Sequence, residues 1–155
     1  MRGDGDGWRD CAGGHRHWGR FGAAGLLLRR PAPADEGGLE VLLQLRALWS
    51  HHGGTWGLPG GARDSSETAV QAALREAAEE VGLASDGVRI AGEYVDDHGG
   101  WSYTTVVADT DGDQALPEPH PDGETIEVRW VAMIDVDLLP LHPGFSATWP
   151  RLREA

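Results

Sequence analysis

Among 155 residues there is a single cysteine, Cys11. No internal disulfide is therefore possible, and this sparing use of thiols fits a reducing compartment. Long apolar runs are missing as well. The segment Ala23 to Leu28 falls far short of the roughly 20 residues that span a bilayer as a helix. Residues 1 to 20 mix glycine, arginine and tryptophan without an apolar stretch, so no signal sequence is expected and the expected location is cytoplasmic. Basic residues are few: 13 against 25 acidic ones, a formal charge of -12. That balance argues against nucleic acid or an anionic membrane as a partner, because long-range attraction to either needs positive charge. It leaves a small nucleotide open as substrate, since bound cations reverse the local field. No internal repeat is evident, and no appended DNA-binding segment is expected in these 155 residues. With 40% hydrophobic residues, the chain is long enough for one proper core and hardly two.

What is present is concentrated between Gly61 and Leu83, which reads GARDSSETAVQAALREAAEEVGL. Its spacing is G-x5-E-x7-R-E-x2-E-E-x-G, with Glu67, Arg75, Glu76, Glu79 and Glu80 following a glycine turn. At about 100° per residue, Val70, Leu74, Ala77, Ala78 and Val81 share one side of a helix. Glu76, Glu79 and Glu80 share the opposite side with the small Ala69, Ala72 and Ala73. The spacing predicts a helix from Thr68 to Val81, started by an S/T-x-x-Q capping box at Thr68 and Gln71 and stopped by Gly82. Like charges one turn apart cost a helix about 0.2–0.5 kcal/mol per pair. The cluster is therefore either a solvated acidic face or a site for a compensating cation. Trp56-Gly57-Leu58-Pro59-Gly60-Gly61 favours the cation, because two adjacent glycines supply backbone freedom and carbonyl oxygens suit Mg²⁺ or Mn²⁺.

Elsewhere the pattern is that of strands. Residues 21–29, 39–45, 88–95, 103–108 and 125–132 read as strands, and 133–139 and 145–152 as short terminal helices. A polar, proline-containing stretch runs from Thr110 to Gly123. Residues 1–18 form an N-terminal segment expected to be partly loose, and 19–155 the single domain. Strands on both sides of a central helix, with another helix at the end, point to an α/β fold with a mixed sheet between helices.

The segment from Gly61 to Leu83 resembles the Nudix box of the Nudix hydrolase family at every fixed position, and WGLPGG is similar to the family's usual lead-in. Ala77 stands where the family often has a larger aliphatic residue, a departure that affects packing more than chemistry. The resemblance implies an α/β/α sandwich and metal-assisted hydrolysis of a nucleoside diphosphate linked to another group. It implies Mg²⁺, or Mn²⁺, held by Glu76, Glu79 and Glu80 with the Gly60 carbonyl, and Arg75 orienting Glu67 by a bidentate contact. For the general base the family offers a box glutamate or a distant loop acid. The loop candidate is Glu124, whereas strand alternation places Glu127 beside Arg129 and away from Ile126, Val128 and Trp130.

Substrate contacts are expected from Trp56, His98, Trp101 and Tyr103, on whose rings a base could stack. The proline that marks ADP-ribose-type enzymes is replaced by His98 and Gly99, and the tyrosine of dinucleoside-polyphosphate-type enzymes by Gly100 and Trp101. Cys11 is badly placed for the cysteine chemistry of the family's isomerases. A nucleoside triphosphate pyrophosphatase remains, with a nucleotide-sugar or dinucleoside-polyphosphate hydrolase, or a non-catalytic nucleotide-binding sensor module, as alternatives. Cys11, His15 and His17 have C-x3-H-x-H spacing that could seed a zinc site without an evident fourth ligand. His51 and His52, just before the glycine turn, read as a solvated loop pair that could face phosphate.

Overall fold

The computed structural model describes residues 4–33, 37–50, 52–112, 116–117 and 123–154. All five strands expected from the sequence are present: β3 (Ala23–Pro31), β4 (Leu39–Arg46), β7 (Arg89–Asp97), β8 (Ser102–Asp109) and β9 (Thr125–Ala132). Four short strands carry no sequence pattern and were not expected: β1 (Trp8–Asp10), β2 (Arg16–Trp18), β5 (Trp56–Gly57) and β6 (Gly60–Ala62). Helix α1 spans Ala69–Val81 and α2 spans Pro143–Leu152, while Met133–Leu138 winds as a 3-10 helix. Of the Thr110–Gly123 stretch, residues 113–115 and 118–122 lie outside the described residues, as does His51.

β3, β4 and β8 form the centre of a seven-stranded sheet among the described residues, with β3 and β8 parallel and the other pairs antiparallel. Period-two alternation divides their side chains between two cores. Ala24, Leu26, Leu28, Leu42, Val106, Ala108 and Val128 meet α1. Leu27, Val41, Leu43, Val107 and Val131 meet Phe145, Trp149 and Leu152 of α2 and Val136 of the 3-10 helix. The result is the α/β/α sandwich with a mixed sheet. Among the described residues no helix is long and apolar enough to cross a membrane.

The sheet is split at one end. β3 and β4 pair only where Arg29–Pro31 face Leu39–Val41. Beyond that point the two strands diverge, and the segment Trp56–Ala62 enters the gap. It pairs with β4 through Gln44 and Leu45 opposite Gly57 and Trp56. It pairs with β3 through Ala23–Gly25 opposite Ala62–Gly60. Gln44, 2% exposed, locks the insertion from behind. Its Nε2 donates to the Leu58 carbonyl at 3.2 Å, and its Oε1 accepts from the Thr125 hydroxyl at 2.6 Å.

Residues 4–18 are laid against the domain. Strands β1 and β2 form an antiparallel hairpin. Ser65 donates through its backbone N–H and its hydroxyl to the Asp4 carboxylate, and Gly5 donates to Asp64 Oδ1 at 2.9 Å. At the other end the Ala12 N–H reaches the Gly99 carbonyl at 2.7 Å.

Replacing Gln44 by leucine keeps bulk but leaves the Leu58 carbonyl and the Thr125 hydroxyl unpaired in a buried place. The expected loss is about 1–3 kcal/mol, read from the urea midpoint of Gln44→Leu. An unchanged midpoint would show that neither bond contributes to holding the inserted segment.

Candidate active site

Helix α1 is set by its ends. The Thr68 hydroxyl accepts from Gln71 N at 3.1 Å while Gln71 Oε1 accepts from Thr68 N at 2.9 Å, a complete capping box. Gly82 closes the helix in the left-handed region at φ 74. The face that meets the sheet is rotated from the one the apolar pattern suggested, though Val70 and Leu74 still pack against the core. Ala69, Ala72, Ala73, Ala77 and Val81 are buried, whereas Val70 and Leu74 are half-buried on the flank and Ala78 is exposed. The side of α1 that carries the glutamates and small alanines is thus the side turned toward β6.

Strand β6 crosses this face with no side chain in the way. A Cβ on Gly61 would lie 2.7–2.8 Å from the Glu76 carboxyl group, and one on Gly60 would lie 2.6 Å from the Ala24 carbonyl. Neither glycine has a positive φ. Close approach, rather than backbone freedom, is what demands glycine at both positions. The Gly60 N–H donates to Glu80 Oε2 at 2.7 Å.

Arg75 stands among the other carboxylates. Its Nε and Nη2 donate to Glu67 at 2.7 and 2.8 Å, Nη1 donates to Glu76 at 2.9 Å and to Glu79 at 3.3 Å, and Nη2 also reaches the Ala62 carbonyl at 3.0 Å. The fork on Glu67 is bidentate, which gives direction as well as attraction. These bonds hold the Glu67 carboxyl below its usual range, against a smaller opposing effect of burial. Glu76 behaves oppositely: burial raises it, and Arg75 only offsets part of the shift. Glu80 is pushed up to about 8 by burial and then by the Glu76 charge, against the Gly60 N–H. The Tyr103 hydroxyl, also raised by burial and then by Glu80 and Glu76, adjoins this pair, within 2.9 Å of where a Gly60 Cβ would be.

Two half-buried carboxyl groups that repel each other, beside backbone carbonyls, make an oxygen-only donor set suited to a hard divalent cation. They are not gathered at one point: Glu67 and Glu79 turn to Arg75, Glu76 lies between Arg75 and Gly61, and Glu80 lies on Gly60.

The NUDIX domain family model matches residues 20–152. The chain belongs to the Nudix hydrolase family. It is 54% identical over 163 aligned positions, covering all of this chain and 72% of the relative, to a Mycobacterium tuberculosis (strain ATCC 25618 / H37Rv) protein named "Putative 8-oxo-dGTP diphosphatase 3". A Bifidobacterium longum (strain NCC 2705) protein named "Nucleoside triphosphate pyrophosphatase/Nudix hydrolase fusion protein" is 42% identical over 95% of this chain and 30% of its own length. Among solved structures, the Nudix hydrolase RenU of M. smegmatis superposes with a TM-score of 0.86 at 51% identity, covering 97% of this chain and 94% of RenU. The protein is accordingly a Nudix hydrolase.

Around this Nudix box the other expected site residues are distributed unevenly. Glu124 lies at the start of β9, its side chain exposed and 3.9 Å from Arg46 Nη2, and its charge is felt at Glu80. Glu127 pairs with Arg129 at 2.7 Å. Trp56 lies in the core beneath α2, 5% exposed, with the Arg129 guanidinium 4.8 Å from its ring centroid. Trp101 lies at the β7–β8 turn, stacked on His17 at 4.0 Å, with His98 edge-on at 5.4 Å. An open cleft of about 480 Å³ runs past Trp101 between Arg9, Arg20 and Arg63, and none of the box glutamates lines it. His52 is exposed and meets the His142 ring edge-on. Arg46 and Gln44 were missed by sequence reasoning. A glutamine and a terminal arginine in LEVLLQLR of β4, whose one other polar residue is Glu40, were the available signal.

Glu80 supplies a pH test. Its folded value, about 8, lies above the 4.5 of a free glutamate. Between these values the native chain keeps a proton that the unfolded chain has released, so stability falls as pH rises through the window. Glu76 shifts in the same direction. The melting temperature of metal-free protein should therefore decline from about pH 4.5 to about pH 8, and Glu80→Gln should flatten that decline. A melting temperature equally pH-independent in the wild type would place the Glu80 carboxyl in water.

Proposed function

We propose that this Nudix hydrolase is a divalent-cation-dependent nucleoside triphosphate pyrophosphatase, with 8-oxo-dGTP the first substrate to test. The observation that carries the reading is the half-buried Glu76 and Glu80 pair beneath the Gly60–Gly61 strip. Two crowded carboxyl groups partly withdrawn from water, one of them raised to about 8 when no cation is near, call for a cation. The names of the two curated relatives, and the lack of the ADP-ribose and dinucleoside-polyphosphate marks, support a triphosphate as substrate.

In this reading Glu76, Glu79, Glu80 and the Gly60 carbonyl hold Mg²⁺ or Mn²⁺. Such an ion, when bound, neutralises phosphate oxygens and makes a water more acidic. Arg75 fixes Glu67 and restrains Glu76 and Glu79 from one side, so that the carboxylates present defined edges. A water adds to phosphorus, the phosphoanhydride P–O bond breaks, and a nucleoside monophosphate and pyrophosphate leave. The proton of that water passes to a carboxylate. Glu124 is the loop candidate, since it is exposed yet electrostatically coupled to Glu80, and Glu79 and Glu80 are the candidates on the helix. The Tyr103 hydroxyl backs the strip at Gly60 and Gly25, a position from which it limits the depth of the site.

A product-release screen over nucleoside triphosphates including 8-oxo-dGTP, nucleotide sugars, ADP-ribose and dinucleoside polyphosphates tests the substrate class. Activity on triphosphates, abolished by EDTA and restored by Mg²⁺, is the expected result. Full activity in EDTA would remove the cation, and binding without product release would turn the protein into a sensor. Mg²⁺ should also raise the melting temperature, because it binds the folded state alone.

Glu79→Gln and Glu80→Gln should each lower kcat by at least about a hundredfold with the circular dichroism spectrum unchanged. Near-normal turnover in either variant would make that residue a bystander. Glu124→Gln separates the two places for the base. It should depress turnover by about a hundred- to ten-thousandfold and alter the pH-rate profile if the loop acid takes the proton, and leave both unchanged if a helix glutamate does.

A further inference from the structure

Away from the carboxylates, one atom each from Cys11, His17 and His98 lie within 4.8 Å of one another, and no other group of three such ligating residues occurs among the described residues. The sequence spacing of Cys11, His15 and His17 suggested a different trio. Folding replaces His15, which is exposed, by His98 from the β7–β8 turn. Cys11 sits just past β1, in a turn closed by its own N–H to the His15 carbonyl at 2.9 Å and by the Gly14 N–H to its carbonyl at 3.0 Å. The two turns are fastened by the Ala12 N–H to Gly99 carbonyl bond, and a Cβ on Gly99 would come within 2.6 Å of the Ala12 Cβ.

We propose that Cys11, His17 and His98 form a binding site for Zn²⁺ or a similar transition-metal ion, clamping the β1–β2 hairpin to the β7–β8 turn. Three independent observations support it. Cys11 is buried and unpaired with any other cysteine. His17 has its Nε2 buried with no hydrogen-bond partner among the described residues, a state that costs stability unless something satisfies it. His98 is oriented by Asp96, whose Oδ2 lies 3.1 Å from Nε2, the kind of carboxylate support that metal-binding histidines commonly have. One thiolate and two imidazoles suit zinc, with a fourth position open to water. Bond lengths of about 2.0–2.3 Å put zinc ligand atoms about 3.5 Å apart, so the three side chains need close by only about an ångström. The donor set is soft where that of the Nudix box is hard, so the two sites sort different ions.

The test uses the whole chain, reduced and freed of metal, with saturating Mg²⁺ present to occupy the oxygen site. Titration with Co²⁺ should give, at one equivalent, a thiolate-to-metal charge-transfer band and the visible bands of a tetrahedral ion, both displaced by Zn²⁺. Cys11→Ser should abolish the charge-transfer band. His17→Gln and His98→Asn should weaken Zn²⁺ binding by at least about a hundredfold, Asp96→Asn by about 10–100-fold, and His15→Gln should change nothing. Circular dichroism checks each variant, and His98→Asn, at a turn, keeps the test informative if Cys11→Ser misfolds. Absence of a charge-transfer band at saturating Co²⁺, or a Zn²⁺ affinity equal in wild type and His98→Asn, would overturn the site.

Discussion

How closely helix α1 approaches strand β6 determines everything at this end of the molecule. The approach is possible because neither partner presents bulk: Ala69, Ala72, Ala73 and Ala77 line the helix, and Gly60 and Gly61 line the strand. A single methyl group on Gly61 would meet the Glu76 carboxyl. The same closeness strips water from Glu76 and Glu80 and raises both. Packing and electrostatics are therefore one constraint here, since any change that lets the helix retreat also rehydrates the acids.

The strip could not be where it is without the split in the sheet. Strands β3 and β4 give up pairing with each other beyond Arg29 and Val41 so that each can pair with half of the inserted segment. Gln44 satisfies the Leu58 carbonyl within that insertion, and the two cores on either side keep the separated strands in one plane. Arg75 serves the complementary purpose on the helix. Its planar fork gathers Glu67, Glu76 and Glu79, which limits mutual repulsion while leaving Glu80 to the backbone of Gly60.

Much of this was readable from the residues. The capping box at Thr68, the stop at Gly82 and the strand at Thr125–Ala132 fall where the sequence places them, because local hydrogen bonding and period-two burial fix them. The Arg75 to Glu67 contact is the one the family resemblance implies; Glu67 itself lies before the Thr68 cap, outside the helix. The facing of α1 was readable only in part. A rule that puts large apolar residues inside assigns Val70 and Leu74 to the centre of the contact; they pack at its margin, and Ala69, Ala72 and Ala73 take the centre with Ala77 and Val81. Strands β5 and β6, two and three residues long and rich in glycine, carry no pattern, since their place depends on partners far away in the chain. Trp56 illustrates the same limit. Beside a glycine turn it reads as a platform for a base, yet the fold buries it under α2.

The insertion also ties the order of folding to the appearance of the site. Gly60 sits opposite Gly25, which is itself aligned with Thr105 on β8, and Gln44 behind the strip bonds to Thr125 on β9. These pairings span most of the chain, and contacts of high sequence separation form slowly because loop closure precedes any reward. Helix α1 can wind early on local signals alone, but its carboxylates then face water. Only when both distant strands have docked does a partly folded chain become one in which Glu80 meets the backbone of Gly60.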